Sequence, residues 1–227
     1  MLKGFALFYI LSMILHNPIL ALVLIFVFYT VADRAYFGFL PDFFAPFKRK
    51  SQIKSMLAEL RVNPANARSA QELGILYFER KQYNKALEYL TKAHGKIKDS
   101  ARLYLYLGMT LMELKNFDTG KEALDNAVEL ERKIGHGLPY IYMLQYELGR
   151  GKLLPLEIKK LEEGLTNFAS TEIFFRAGMV YKKQGNRHQA REMFNLAVEE
   201  YRGVPKRMKR LHRKWAVLAK FYLYTGI

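Results

Sequence analysis

The chain has 227 residues, 51% of them apolar, with 15 glycines, seven prolines and no cysteine. That length suits one domain, or one domain with an anchor, and the missing cysteine excludes disulfides, thiolate metal sites and cysteine nucleophiles. The formal charge of +15 is concentrated at the ends: residues 202–227 carry eight Lys/Arg and no acid, residues 1–54 carry six against two, and the middle is nearly balanced.

From Gly4 to Val31 there is no charged residue. As one helix these 28 residues would run about 42 Å, against about 30 Å for a bilayer core. His16-Asn17-Pro18 interrupts the run. Asn17 is a good N-cap and Pro18 suits a first helical turn, which predicts a helix over 19–36. The preceding 5–15 stretch is too short to span alone. Three readings stay open: a single kinked or tilted span, a re-entrant hairpin turning at His16-Asn17-Pro18, and a cleaved signal peptide ending near Thr30-Val31-Ala32. Tyr36, Phe37, Phe39, Phe43, Phe44 and Phe47, interleaved with Pro41 and Pro46, read as an interfacial linker. Residues 1–47 are therefore expected to be a membrane anchor and linker, and 48–227 a helical domain. Arg34, Lys48, Arg49, Lys50 and Lys54 put that domain on the cytoplasmic side.

The remainder has an internal period. Leu73-Gly74 is followed by Tyr77, Ala86, Leu90 and Ala93; 34 residues on, Leu107-Gly108 is followed by Leu111, Gly120, Leu124 and Ala127. Ala177-Gly178, then Tyr181, Ala190, Phe194 and Ala197, repeat the pattern at an offset of three periods plus two residues. Each unit reads as two amphipathic helices, with the glycine letting the paired helix approach. A third unit, over 138–148 and 156–168, lacks the Leu-Gly pair. Residues 50–62 read as a preceding half-unit, and 205–224 as a last helix with Met208, Leu211, Trp215, Leu218 and Tyr222 on one face. No unit buries its apolar face alone, so the units stack.

The period and residue pattern resemble the tetratricopeptide repeat. The resemblance covers roughly residues 50–224 and implies an all-α solenoid of about four helix-turn-helix units with a C-terminal capping helix, behind a transmembrane or re-entrant anchor. The architecture looks like that of bacterial inner-membrane tetratricopeptide proteins, including the lipopolysaccharide-assembly type. The cysteine-rich zinc module of that type is missing here, so its role is not carried over. Proteins of this family typically bind peptides along a concave face lined by the first helix of each unit. Carried over residue by residue, that groove is Arg68, Gln71, Ile75 and Phe78 in the first unit. It continues through Arg102, Leu105, Met109 and Met112 in the second, and Phe175, Met179 and Lys182 in the fourth. It is apolar and methionine-rich, which suits an amphipathic helix or apolar peptide. The Lys and Asn of a chaperone-tail clamp are absent from it. Alternatively, the last helix or a tight superhelical winding fills the groove internally.

Catalytic signatures are missing. There is no dinucleotide or phosphate loop and no His-Glu-x-x-His, and the five histidines are far apart. Glu162-Glu163 and Glu199-Glu200 read as solvated helix faces rather than acid/base pairs. The expectation is a non-enzyme with no cofactor, no metal and no small-molecule substrate. A second surface is basic: Lys206, Arg207, Lys209, Arg210, Arg213 and Lys214 fall within nine residues. This fits anionic lipid headgroups in preference to nucleic acid, since the anchor already holds the domain beside a membrane; a solvated capping helix is the plainer reading. The chain thus reads as a membrane-anchored scaffold that binds a protein partner through its groove and helps assemble or regulate a membrane complex. The alternative is a subunit of a transport or channel assembly with a working His16-Asn17-Pro18 hairpin.

Overall fold

The computed structural model describes residues 2–33, 45–150, 155–168 and 170–226. The described residues form twelve α-helices and no strand. The first two, α1 (Leu2–Leu15) and α2 (Pro18–Ala32), meet at the predicted break. His16 takes a left-handed backbone (φ 50°), and the Asn17 side chain accepts hydrogen bonds from the Ile19 and Leu20 N–H groups at 3.0 and 3.2 Å. A left-handed residue followed by an N-cap ends one helix and starts another, and α2 packs back against α1. The two helices have 14 and 15 residues, or about 21 and 22 Å each, short of a bilayer core of about 30 Å. No helix among the described residues is long and apolar enough to cross a membrane, so a single span finds no support. Ala21 is fully buried in this hairpin, whereas Tyr9, Met13, Ile14, Ile19 and Phe28 are exposed. Arg34 and the linker from Tyr36 to Phe44 lie outside the described residues.

The stack begins with α3 (Ala45–Val62), five residues ahead of the expected half-unit, with Pro46 in its first turn. Paired helices follow: α4 (Ala67–Glu79) with α5 (Tyr83–His94), and α6 (Ala101–Glu113) with α7 (Phe117–Leu130). Then come α8 (Leu138–Gly149) with α9 (Pro155–Thr166), and α10 (Thr171–Lys183) with α11 (Arg187–Gly203). The first helices of the four units start 34, 37 and 33 residues apart. The surplus residues therefore fall before α8, in a 3-10 turn over Ile134–Gly137 where Gly135, His136 and Gly137 all have positive φ. Three first helices share an N-cap position: Asn66, Ser100 and Ser170 accept from the N–H groups of Ser69, Leu103 and Ile173 at 3.1–3.2 Å. Each such cap contributes about 1 kcal/mol.

Within a unit the glycine does what the period implies. A Cβ on Gly74 would lie 2.6 Å from Leu90 Cγ, one on Gly108 2.7 Å from Leu124 Cγ, and one on Gly178 2.6 Å from Phe194 Cε1. The third unit inverts the arrangement. Its glycine is Gly164, on the second helix, and the ring of Tyr140 from α8 lies against it. Three apolar clusters result. The first joins α3 to α6 around Leu73, Leu90 and Leu103. The second holds Leu105, Met109, Met112 and Leu124, and the third Phe174, Phe175, Tyr181 and Phe194. Helix α8 feeds both later clusters, Met143 and Tyr146 going to one and Ile141 and Leu144 to the other.

The array ends with α12 (Lys209–Tyr224), packed on α10 and α11. The five-residue stripe expected on it is split. Trp215 and Tyr222 turn inward, but Leu211 is 60% exposed and Leu218 39%. The buried Ala216 and Ala219 let the helix sit close, and the packed face rotates toward these small residues.

Candidate functional site

The first helices α6, α8 and α10, with α12 at one end, enclose a trough made of three adjoining hollows of about 370, 340 and 380 Å³. Gln145 of α8 borders all three. Tyr142, Met179, Val180 and Trp215 supply apolar and aromatic wall. Lys115, Arg150, Arg176, Lys182 and Lys183 supply cations, with Glu113 as an acid at the rim.

Polar bonds set these side chains. The Tyr142 hydroxyl donates to Glu113 Oε1 at 3.0 Å. Burial first, then the Glu113 charge, push that phenol far above its ordinary range, so it remains a donor. The Tyr146 hydroxyl donates to Asp118 at 2.5 Å and accepts from Arg150 Nη1 at 3.0 Å. The Asp118 bond, then burial, raise the Tyr146 phenol. One residue on, buried Glu147 accepts from Lys121 Nζ at 2.8 Å, which ties α7 to α8 and raises the lysine's pKa. At the other end the Arg176 guanidinium sits 5.2 Å from the Trp215 ring and pairs with Glu172, while Lys182 Nζ lies 4.0 Å from the Tyr222 ring. The ring contact holds the Lys182 charge in place without neutralising it, whereas Glu172 offsets that of Arg176.

The residues expected in the groove divide in two. Gln71, Ile75, Leu105, Met109, Met112 and Phe175 are buried. Gln71 donates to Ser100 Oγ at 3.4 Å, and Ile75 joins the α3–α6 cluster, with Phe78 against the Tyr83 and Tyr106 rings. Leu105, Met109 and Met112 pack with Met143 and Tyr146 of α8, and Phe175 stacks among Phe194, Trp215 and Tyr222. Arg102 forms a two-pronged pair with Glu72, and Arg68 is exposed at the start of α4. Neighbouring first helices therefore lie close enough to consume most of the apolar face. Met112, Phe175, Met179 and Lys182 still border the open trough. Sequence reasoning missed Glu113, Lys115, Arg176, Val180, Lys183 and Trp215 of the trough, and above all Tyr142, Gln145, Tyr146 and Arg150. The last four lie on α8 and its C-cap, the helix without a Leu-Gly pair to set its register; Ser170, 70 residues after Ser100, was a usable signal for the α10 side.

Other expected features fall elsewhere. His16 Nδ1 lies 3.2 Å from the Ile14 carbonyl oxygen, so both polar side chains at the hairpin turn are engaged locally. Glu162, read as solvated, accepts from the Tyr181 hydroxyl at 2.5 Å. Among the described residues no group of three or more His, Asp or Glu is placed to hold a metal ion.

Two family models match this chain, both described as tetratricopeptide repeat, over residues 77–138 and 172–203. The chain carries tetratricopeptide repeats. The stretch between the two matches is the inverted α8–α9 unit, which helps explain why neither model covers it. No curated protein matches the sequence. Among solved structures, this tetratricopeptide array is similar to MamA (21% identity, TM-score 0.53, covering 71% of this chain and 95% of that one). It is also similar to YrrB, described as a TPR protein with an unusual peptide-binding site (19%, 0.51, 75% and 85%). Yeast Tom70 is a further likeness (16%, 0.51, 78% of this chain and 44% of that one). These likenesses show a shared solenoid fold.

Proposed function

We propose that this chain is a membrane-associated scaffold that captures a peptide segment of a protein partner in the trough between α6, α8 and α10. The observation that carries the reading is the trough itself: an aromatic and methionine wall beside five Lys/Arg side chains and one glutamate. An amphipathic segment bearing acidic residues complements it, with its apolar side on Tyr142 and Met179 and its carboxylates toward Arg150 and Lys183. The peptide-binding site of YrrB makes the same use of this fold reasonable. Membrane association is proposed from the α1–α2 hairpin, which exposes large apolar side chains along both helices, among them Tyr9, Met13, Ile14, Ile19, Phe26 and Phe28. The cations at Lys48, Arg49, Lys50 and Lys54 argue for the cytoplasmic side.

The test is purification of the full chain in mild detergent with its bound partners. Met179→Glu combined with Lys183→Glu is expected to lose the partner while helicity is kept, because both positions border open space. Met109→Glu places a charge in the α6–α8 cluster and is expected to cost helicity instead. Undiminished partner recovery by the folded Met179/Lys183 variant refutes the trough as the capture site.

A further inference from the structure

We propose that α12 is a lipid-docking helix whose outer face seats on an anionic membrane surface, a role distinct from the peptide trough. Its inner face is settled: Trp215, Ala216, Ala219 and Tyr222 pack on α10 and α11. The outer face changes character along the axis. Lys206 and Arg207, just ahead of the helix, and Lys214 are exposed with Leu211 among them, whereas Val217, Leu218, Phe221 and Tyr224 dominate the exposed surface of the last two turns, where Lys220 is the exposed cation. Lys214 keeps its ammonium 4.5 Å from the Trp215 ring, and that of Lys209 lies 5.5 Å from the Tyr201 ring, so aromatic faces hold both charges at the start of the helix.

This gradient, basic ahead and apolar behind, fits the layers of a membrane interface, where the long stem of Lys220 can carry its charge back toward the headgroups. Lys214 and Phe221 are seven residues apart, about 10 Å along a helix, and interfacial helices bury their apolar side about 5–10 Å into the headgroup and acyl boundary. A tilted α12 can therefore hold its cations among phosphates while Phe221 and Tyr224 enter the boundary. Other occupants fit less well. A second copy of this face would set cations against cations, because residues 202–227 contain no acid. An acidic peptide would satisfy Lys206, Arg207 and Lys214 but not the apolar end. Independently, the exposed apolar residues of the α1–α2 hairpin favour placing the same chain at lipid.

The missing cysteine allows a direct measurement on the full chain. Thr225 is exposed, next to Tyr224, so Thr225→Cys can carry a polarity-sensitive fluorophore. With vesicles of phosphatidylcholine and phosphatidylserine at low salt, its emission is expected to shift to the blue. The shift should fall away at about 1 M salt, where charges are screened beyond about 3 Å, and be absent with phosphatidylcholine alone. Adding Lys206→Gln, Arg207→Gln and Lys214→Gln should remove most of it with an unchanged circular dichroism spectrum. The proposal is overturned by the absence of a shift with anionic vesicles, by an equal shift with neutral vesicles, or by a full shift in the folded neutralised variant. A shift produced by single-stranded RNA or by polyglutamate without lipid overturns it too, in favour of those partners.

Discussion

Gly178 and Gly185 stand seven residues apart and favour glycine for different reasons. At Gly178 an added methyl would meet the Phe194 ring, which is itself fully buried between the rings of Phe175 and Tyr222. Gly185 has φ 77° with nothing within 4 Å of a built Cβ, and the same turn position in earlier units is held by Lys81 (φ 57°) and Lys115 (φ 64°). Gly178→Ala should therefore cost about 1–3 kcal/mol through overpacking, and Gly185→Ala about 1 kcal/mol through backbone strain alone. Urea denaturation measures both, and the reverse order would mean that the ring yields more easily than the turn. This contrast also marks what a sequence shows at this scale. A glycine demanded by a close approach recurs at the repeat spacing, so Gly74, Gly108 and Gly178 could be read directly. The burial of Met109 could not, because spacing tells which face a residue occupies and not how near the next helix comes.

At the scale of helices, α7 and α8 are tied by the Lys121–Glu147 pair, with the glutamate side chain only 5% exposed. Removing one partner of such a pair strands the other, whereas replacing both with apolar groups is often nearly neutral. Lys121→Met is expected to destabilise by about 3 kcal/mol, and Lys121→Met with Glu147→Leu to recover most of that. Thermal unfolding of the two variants provides the comparison; a double variant no better than the single one would show that Glu147 is not held by this lysine. The existence of the paired helices followed from the amphipathic pattern and the period, and the ends of α8 and α9 lie within two residues of the expected ones, whereas α3 starts five residues earlier and α12 four residues later than expected. Which side chains of α8 would line the trough did not follow. Its 37-residue offset from α6 and its inverted Tyr140–Gly164 packing remove the landmarks that set the register of the other units.

For the molecule as a whole, the N-terminal run was legible as apolar and interrupted, but its course was not. The choice between span and hairpin turned on the backbone of His16, whose left-handed conformation no composition reveals. On the proposed membrane association, a hairpin of helices too short to cross would leave both of its ends on one side. Single cysteines introduced at Lys3 and at Glu131 should therefore react with an impermeant reagent from the same side. Reaction from opposite sides would mean that the hairpin opens into a span in lipid.

Because α8 lends side chains to both the second and the third apolar clusters, it acts as the keystone between the two halves of the array. A peptide gripped on α8 would brace the arch from both sides at once. Capture would then set the curvature of the scaffold as well as its cargo, so that an empty array and a loaded one present differently bent surfaces to whatever lies beside them.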